Sequence, residues 1–248
     1  MIRSIVIMNI PSMNELPAME RWYTRYHAPE ILHRFGPWLT RLESYRVVPV
    51  PPEAERYGYY NYRVTESWWR SVQELPSVCG TLSFTPSPIR PKVVSIFVPP
   101  QPTEDFMGGE VTPDEKTILR WYIVFKYPDE VPVQEGEDWF LNIHAREVMQ
   151  QPGLTRFFSY RASEIASLPG HRPSKGPPPT AWHRLSEQWY ENFDGWRKSV
   201  INSPRKYTKP PWGKYDQYPF LEPYVDFVST FILERPTDDF LRDWRGYI

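Results

Sequence analysis

Two histidines are the residues of this sequence best suited to move protons. His27 and His144 each follow a tryptophan by five positions, in Trp22-Tyr-Thr-Arg-Tyr-His-Ala and Trp139-Phe-Leu-Asn-Ile-His-Ala. The unperturbed pKa of imidazole is about 6.5, so a histidine in a pocket can accept or donate a proton near neutral pH. The alternative is a histidine that packs its helix onto a sheet, and recurrence in two places slightly favours that structural role.

Two tyrosine–arginine pairs also recur, at Tyr45-Arg46 and Tyr160-Arg161. Neighbouring side chains on a strand point to opposite faces, so one member of each pair must face the helices. A tyrosine there could donate a hydrogen bond to a developing oxyanion, and an arginine could hold a carboxylate. A core tyrosine beside an exposed or inter-sheet arginine is the favoured alternative.

Glu187 lies within an apolar stretch that is predicted to be a central strand. Carboxylates are rarely buried without a partner. We therefore expect Glu187 to form an acid–base pair with His183 or Arg161, or else a salt bridge between two sheets.

Together these patterns define a candidate site. The candidate catalytic residues are His27, His144, Tyr45, Tyr160 and Glu187, and the candidate substrate-binding residues are Arg46, Arg161, Tyr26, Tyr62, His183, Trp189 and Trp212. The sequence has no metal-ligand spacing, glycine-rich phosphate loop or Gly-x-Ser-x-Gly motif, so we expect no metal and no cofactor.

These residues belong to an internal repeat. The segments 22–46 and 139–161 share a Trp, a His-Ala, a Leu-Thr-Arg and a Ser-Tyr-Arg in the same order. Residues 68–72 are predicted to match 196–200, residues 95–106 to match 229–240, and Tyr59 to match Glu187. The repeat predicts two ferredoxin-like units, at residues 1–112 and 113–248.

Each unit is predicted to have the order βαββαβ. The predicted strands are 4–10, 39–48, 57–64 and 93–98, then 118–126, 154–162, 182–190 and 224–233; the predicted helices are 15–35 and 66–75, then 135–150 and 192–201. A ferredoxin-like unit leaves one sheet face bare, and two units can cover each other there. The predicted fold class is α+β, with two tandem βαββαβ repeats whose antiparallel sheets pack face to face as a pseudo-dimeric α+β barrel.

Composition narrows the classes of partner. A formal net charge of −1 gives no electrostatic argument for binding nucleic acid or an anionic membrane. The single cysteine, Cys79, rules out an internal disulfide framework and suits a reducing cytoplasm, where we expect the protein to reside. The loops 163–180 and 205–223 are long, and the second is rich in aromatic residues, which is typical of pocket walls.

The string Trp22-Tyr23-x-x-Tyr26-His27-Ala28-Pro29, followed by Pro-Trp-Leu and a Tyr-Arg strand, resembles the EthD-like family of the dimeric α+β barrel superfamily. In the second half Arg146 stands where the first half has Pro29. The resemblance implies a pocket between each sheet and its own helices. It also implies an activity from a wide range: cofactor-independent monooxygenases, polyketide cyclases, lactone isomerases, dehydratases and decarboxylases, with haem-binding branches.

The leading hypothesis is a cofactor-independent lyase or isomerase that acts on an aromatic or phenolic small molecule. A histidine would move the proton while tyrosine and arginine steady the oxyanion. The alternatives are a monooxygenase, a non-catalytic binder of an aromatic metabolite, and a haem-bound protein. The sequence also leaves open whether two whole chains form a homodimer.

Overall fold

The computed structural model describes residues 1–71, 84–109, 119–163, 181–202 and 206–245, with side chains to residue 243. Within these residues ten strands form two antiparallel sheets of five strands each. The strands are β1 (Ile2–Asn9), β2 (Leu39–Arg46), β3 (Arg63–Trp69), β4 (Lys92–Val98), β5 (Glu104–Asp105), β6 (Leu119–Phe125), β7 (Leu154–Arg161), β8 (Arg184–Tyr190), β9 (Phe227–Leu233) and β10 (Asp238–Asp239). Sheet 1 has the order β10-β2-β3-β1-β4 and sheet 2 the order β5-β7-β8-β6-β9.

Helices cover the outer face of each sheet. They are α1 (Leu16–Trp22), α2 (Ala28–Phe35), α3 (Val133–Trp139), α4 (Ala145–Val148), α5 (Phe193–Trp196) and α6 (Phe240–Arg245). A π-helical turn joins α1 to α2 at Tyr23–His27, and another joins α3 to α4 at Phe140–His144. The same irregularity occurs in the second half without a proline, so Pro29 is not needed to produce it.

The two sheets pack face to face, as the sequence predicts. Every residue of β6 and β8 is buried, because helices cover one face of each strand and sheet 1 covers the other. Apolar side chains from both sheets meet in one cluster, which contains Ile5, Ile7, Val64, Val94, Ile96, Val124, Leu185, Val228 and Ile232. The chain therefore folds as two ferredoxin-like repeats in a pseudo-dimeric α+β barrel, and the second repeat shows the full βαββαβ order.

The predicted third strand and the helix after it are wrong in the first half. The strand is Arg63–Trp69, whereas 57–64 was expected, and it occupies the beginning of the helix predicted over 66–75. Residues 52–57 form a 3-10 turn instead, which ends at Gly58 with a φ of 59°. Glutamate is a common helix-forming residue, but Glu66 lies on a strand and faces the core between the two sheets. Residues 72–75 lie outside the described residues.

This shift changes which residues correspond in the repeat. Ile5 of β1 pairs with Glu66, and Tyr122 of β6 pairs with Glu187 in the same register. Glu187 therefore corresponds to Glu66 and not to Tyr59. Trp68 likewise corresponds to Trp189 of β8. The predicted match, Trp196, lies in helix α5 instead.

Each half contributes an edge strand to the sheet of the other half. The short strand β5 pairs with β7, and β10 pairs with β2. The boundary predicted between residues 112 and 113 falls outside the described residues. The division into units 1–112 and 113–248 stays a prediction, and the exchanged strands make the two halves depend on each other.

A buried arginine ties each exchanged strand to the helix and sheet beside it. Arg184 donates to Glu137 of α3 at 2.7 and 2.6 Å, to Glu104 of β5 at 2.6 Å and to Ser159 of β7 at 2.8 Å. In the first half Arg63 binds the corresponding groups, which are Glu20, Asp238 and Ser44. We call these two networks the arginine clamps.

Removing a clamp should destabilise the protein strongly. We expect Arg184→Met to lower the free energy of unfolding by about 3 to 5 kcal/mol, because it removes the cation that is hydrogen-bonded to the buried Glu137. Chemical denaturation followed by fluorescence measures the change. Arg197→Met is the matched control, since the exposed Arg197–Glu53 pair should contribute about 1 kcal/mol or less. Equal effects in the two variants would show that the clamp does not support the fold.

Candidate functional site

His144 lies in an aromatic cage on the helix-covered face of sheet 2. Its ring stacks on Trp139, with centroids 4.8 Å apart, and on Tyr218 at 5.1 Å. Tyr207 approaches edge-on at 5.2 Å. The π-helical turn places the histidine here, one helical segment after Trp139.

A pair of contacts fixes the loop that carries Tyr207. Trp139 donates from its indole nitrogen to the carbonyl of Thr208 at 3.2 Å. Glu147 of α4 accepts from the backbone nitrogen and the hydroxyl of Thr208 at 3.0 and 2.5 Å. Helices α3 and α4, which flank His144, therefore also position Tyr207, the tyrosine that faces this histidine.

The imidazole of His144 is neutral at physiological pH. Burial lowers the pKa of His144 to about 3, because the charged form is poorly solvated in this cage. The atom Nδ1 is buried and has no hydrogen-bond partner among the described residues. A buried polar atom without a partner is uncommon in a folded protein and calls for an explanation.

A chain of hydrogen bonds leads from the sheet to this cage. The hydroxyl of Tyr190 lies 2.5 Å from Oε1 of Gln151 and 2.9 Å from Oε1 of Gln188. Gln151 in turn donates from Nε2 to the hydroxyl oxygen of Tyr207. Burial raises the pKa of Tyr190 and of Tyr218, so both phenols stay protonated at neutral pH.

Two cavities share Tyr218 as a lining residue. One has a volume of about 310 Å³ and is lined in part by the aromatic Tyr57, Tyr207, Tyr218 and Phe220 and in part by polar and charged residues, which include Gln151, Ser199, Arg56, Lys206 and Asp216. The other has a volume of about 20 Å³, is lined in part by His144, Phe140, Ser186 and Gln188, and shares Tyr218. We call these cavities and their lining the His144 pocket.

His27 occupies the equivalent place on sheet 1. Its ring stacks on Trp22 at 4.6 Å and lies 5.9 Å from Phe84. Trp22 donates to the carbonyl of Thr85, and Glu30 accepts from Thr85, which matches Trp139, Thr208 and Glu147. Burial lowers the pKa of His27 to about 4, against the opposing charge of Glu30.

The two histidine sites differ in their polar groups. Phe84 stands where the second half has Tyr207, and Arg34 stands where it has Gln151. The guanidinium of Arg34 lies 4.5 Å from the ring centroid of Phe84. Sequence reasoning missed this correspondence, although the Phe-Thr at 84–85 and the Tyr-Thr at 207–208, each just before a proline-containing stretch, were signals for it.

Glu187 lies between the two sheets, away from the His144 pocket. Its carboxylate accepts from Nε of Arg120 at 2.7 Å and from the indole of Trp189 at 2.9 Å. Nη1 of Arg3, in the other sheet, lies 3.8 Å from it. The predicted pairing with His183 or Arg161 is wrong, and the alternative of an inter-sheet salt bridge is confirmed.

The predicted tyrosines of β2 and β7 face this same inter-sheet space. Arg120 lies over the ring of Tyr45 at 5.5 Å, and Arg3 lies over the ring of Tyr160 at 5.2 Å. Neither tyrosine lines the His144 pocket. Their catalytic role, like that of Glu187, stays a prediction.

The remaining predicted residues are spread over three regions. Trp212 packs on Trp139 at 5.3 Å and so lies beside the His144 pocket. Arg46 is exposed and binds Glu20 of the first clamp at 2.8 Å. Tyr62 is buried and Tyr26 is exposed. Arg161 and His183 line a different cavity. Of the predicted residues, the structure thus brings only His144 and Trp212 together at this pocket.

The state of His144 should be visible in the pH dependence of stability. An unfolded chain protonates this histidine below about pH 6.5, whereas the folded protein does so only near pH 3, so stability is complete above pH 6.5 and falls as the pH is lowered. We expect His144 to account for a loss of about 1.5 kcal/mol between pH 6.5 and pH 5. Denaturation of the wild type and of His144→Asn at both pH values measures this part; an identical pH dependence in the two proteins would contradict a buried neutral imidazole.

Comparison with known proteins supports the fold. The sequence pattern of the chalcone isomerase N-terminal domain family matches residues 1–85, and this is a different family from the EthD-like one. A search of curated proteins finds no match. A solved structure described as an anthrone oxidase-like protein matches at 10% identity with a TM-score of 0.50, covering 96% of this chain and 92% of the other.

A chlorite dismutase from Candidatus Nitrospira defluvii, in complex with imidazole, matches at 8% identity with a TM-score of 0.47, covering 98% of this chain and 94% of the other. In the described part of the chain there is no cluster of three side chains suited to hold a metal ion. No helix among those residues is long and apolar enough to cross a membrane. The match to the anthrone oxidase-like structure, which extends over nearly the whole chain, supports the α+β barrel fold.

Proposed function

We propose that the protein is an enzyme that acts on an aromatic or phenolic small molecule in the His144 pocket, by acid–base chemistry of the lyase or isomerase type. One observation carries the proposal. A buried, neutral imidazole with an unpartnered Nδ1 lies in a cage of aromatic rings, beside the hydrogen-bonded chain of Tyr190, Gln151 and Tyr207.

The aromatic lining explains the substrate class. Tyr57, Tyr207, Tyr218 and Phe220 present ring faces and edges to a cavity of about 310 Å³, which suits a flat aromatic ligand of modest size. Beside these rings the lining also carries polar and charged side chains, which are Arg56, Gln151, Ser199, Lys206, Asp216 and Gln217. A phenol or ketone oxygen of the ligand would meet tyrosine hydroxyls there.

The electrostatics suggest how a proton would move. Burial disfavours the imidazolium of His144, so this residue accepts a proton only when negative charge develops beside it on the bound molecule. The phenols of Tyr207 and Tyr218 can donate hydrogen bonds to that developing oxyanion. Enolisation, loss of a leaving group and ring isomerisation all use this combination of one base and oxyanion donors.

The name of one matched family and that of one matched protein agree with an aromatic substrate. Anthrone and chalcone, which appear in those names, are both aromatic ketones. An oxidation that uses molecular oxygen is the second candidate, since the description of the solved relative names an oxidase. Membership of the EthD-like family and a homodimer of whole chains stay predictions.

Replacing the histidine tests the assignment. We expect His144→Asn to lower turnover of a phenolic or aromatic ketone substrate by roughly 100-fold or more, because a positioned general base contributes about that factor. His27→Asn is the matched control and should retain activity. The substrate would come from anaerobic incubation of the wild type with a panel of such compounds, read by mass spectrometry and absorbance.

The outcomes separate the alternatives. Loss of water, formaldehyde or carbon dioxide without oxygen identifies a lyase, and a changed spectrum at constant mass identifies an isomerase. Turnover only with oxygen consumption supports the oxidation. Tight binding without any change in the ligand, or full activity in His144→Asn, would sink the proposal.

Tyr207 offers a second test because the first half of the chain has a phenylalanine in its place. Tyr207→Phe keeps the ring and removes the hydroxyl that accepts from Gln151. We expect the rate to fall about tenfold or more, since a lost hydrogen bond to a charged transition state costs at least that factor. An unchanged rate, with unchanged stability, would remove Tyr207 from the mechanism.

A further inference from the structure

A second and larger cavity lies on the other side of helix α3. Its volume is about 860 Å³, and it lies between β4, the end of β7 and the segment that leads into β8. It shares no lining residue with the His144 pocket. Its lining includes Arg161, Trp182, His183, Tyr60 and Tyr224.

The cavity arises where the two halves of the repeat differ. After β2, the chain runs along β9, with Val48 bonded to Phe231 at 2.8 Å and Tyr60 bonded to Ser229 at 2.8 Å. After β7, Ser163 makes the matching first bond to Phe97 at 2.7 Å. The positions of Tyr60 and Tyr62 are occupied in the second half by Ala181 and His183, and the smaller side chains leave space beside β4.

Arg161 brings a positive charge to this cavity, and the described carboxylate on which it acts is Glu137, which lines the same cavity and whose pKa Arg161 helps to lower. Its counterpart, Arg46, binds the helix carboxylate Glu20 at 2.8 Å. Both helix carboxylates are also held by a clamp arginine, Glu20 by Arg63 at 2.7 Å and Glu137 by Arg184 at 2.6 Å. Glu137 differs in that it also accepts from the hydroxyl of Tyr127 at 2.8 Å. Arg161 is exposed, and its guanidinium forms no ion pair or hydrogen bond with any other residue that the structure describes.

His183 adds a neutral hydrogen-bond donor. Its Nδ1 accepts the backbone N–H of Tyr127 at 2.9 Å, so the ring proton is on Nε2. Burial lowers the pKa of His183, which keeps the ring in this neutral form. A guanidinium and an imidazole N–H together are suited to a carboxylate.

The rest of the lining combines the polar residues Ser95, Glu137 and Ser163 with hydrophobic residues, four of which are exposed. Val93, Val133, Tyr224 and Val225 are 52%, 41%, 43% and 51% exposed. Tyr224 also has a φ of 66°, a conformation that is costly for a bulky residue, and its ring stacks on Tyr60 with centroids 6.4 Å apart. Exposed apolar side chains around a concave surface mark a binding site for an apolar group.

We propose that this cavity binds an aromatic carboxylate, at a site separate from the His144 pocket. Arg161 pairs with the carboxylate and His183 donates a hydrogen bond to it. The ring of the ligand packs between Trp182 and Tyr224. This site does not depend on the proposed reaction, because no residue of the His144 pocket takes part in it.

Binding of 2-naphthoate, measured by calorimetry against the neutral isostere 2-naphthamide, tests the proposal. We expect the wild type to bind 2-naphthoate about tenfold more tightly than the amide, and the difference to shrink as salt is added. Arg161→Gln should bind both compounds equally. Because Arg161 is exposed, this variant should unfold at the same denaturant concentration as the wild type.

Two variants serve as controls. Arg46→Gln removes the counterpart arginine in the first half, and His144→Asn alters the other pocket; both should keep the preference for the carboxylate. A preference that survives in Arg161→Gln, or that disappears in His144→Asn, would overturn the proposal. So would the absence of measurable binding of 2-naphthoate to the wild type.

Discussion

The structure depends on a group of charges buried between the two sheets. Arg3 and Arg120 face Glu66 and Glu187 there, and each of these four side chains is at least 93% buried. Isolated charges in such a place would cost several kcal/mol each, so they are tolerated only when every one is paired. Arg3 binds Glu66 at 2.8 Å and Arg120 binds Glu187, while 3.8 Å contacts join Arg3 to Glu187 and Arg120 to Glu66. Because each cation lies near a glutamate of the opposite sheet, sliding one sheet over the other would separate these charges.

Tyr122 breaks the symmetry of this group. Its counterpart in the first half is Ile5, which has no hydroxyl. The hydroxyl of Tyr122 accepts from Arg3 at 2.7 Å and donates to Glu66. Burial raises the pKa of Tyr122 against the opposing charges of Arg120 and Arg3, which keeps the phenol protonated as a donor. The inner faces of the sheets are thus committed to charge pairing and apolar packing, and the space for ligands lies on the outer faces and at their edges.

The repeat predicts the fold well because its shared residues are those that hold the fold together. Arg63 and Arg184 close equivalent clamps, and Trp22 and Trp139 make equivalent bonds to a threonine carbonyl. The third strand was misplaced because Glu66 needs a partner 63 positions away, Arg3, and no local pattern shows such a pairing. The candidate site was predicted less completely. The sequence shows which residues have side chains suited to catalysis, namely histidine, tyrosine and arginine. It does not show whether a side chain on β2 or β7 faces the inner or the outer side of its sheet, because that depends on how the sheets pack.

The sites for chemistry follow from the positions at which the halves differ. A side chain needed by the clamps or by the inter-sheet charges cannot change in one half without stranding a buried partner. Other positions are free of that constraint: Phe84 corresponds to Tyr207, Arg34 to Gln151, and Tyr60, in the inter-sheet cluster, to Ala181. The first two differences put a hydrogen-bonded phenol next to a neutral histidine in the second half. The third lies beside the larger cavity and Arg161, which, unlike Arg46, forms no ion pair with its helix carboxylate among the described residues. The proposed sites therefore lie where the two halves differ, and the residues that we propose to act in them, His144, Arg161 and His183, belong to the second half.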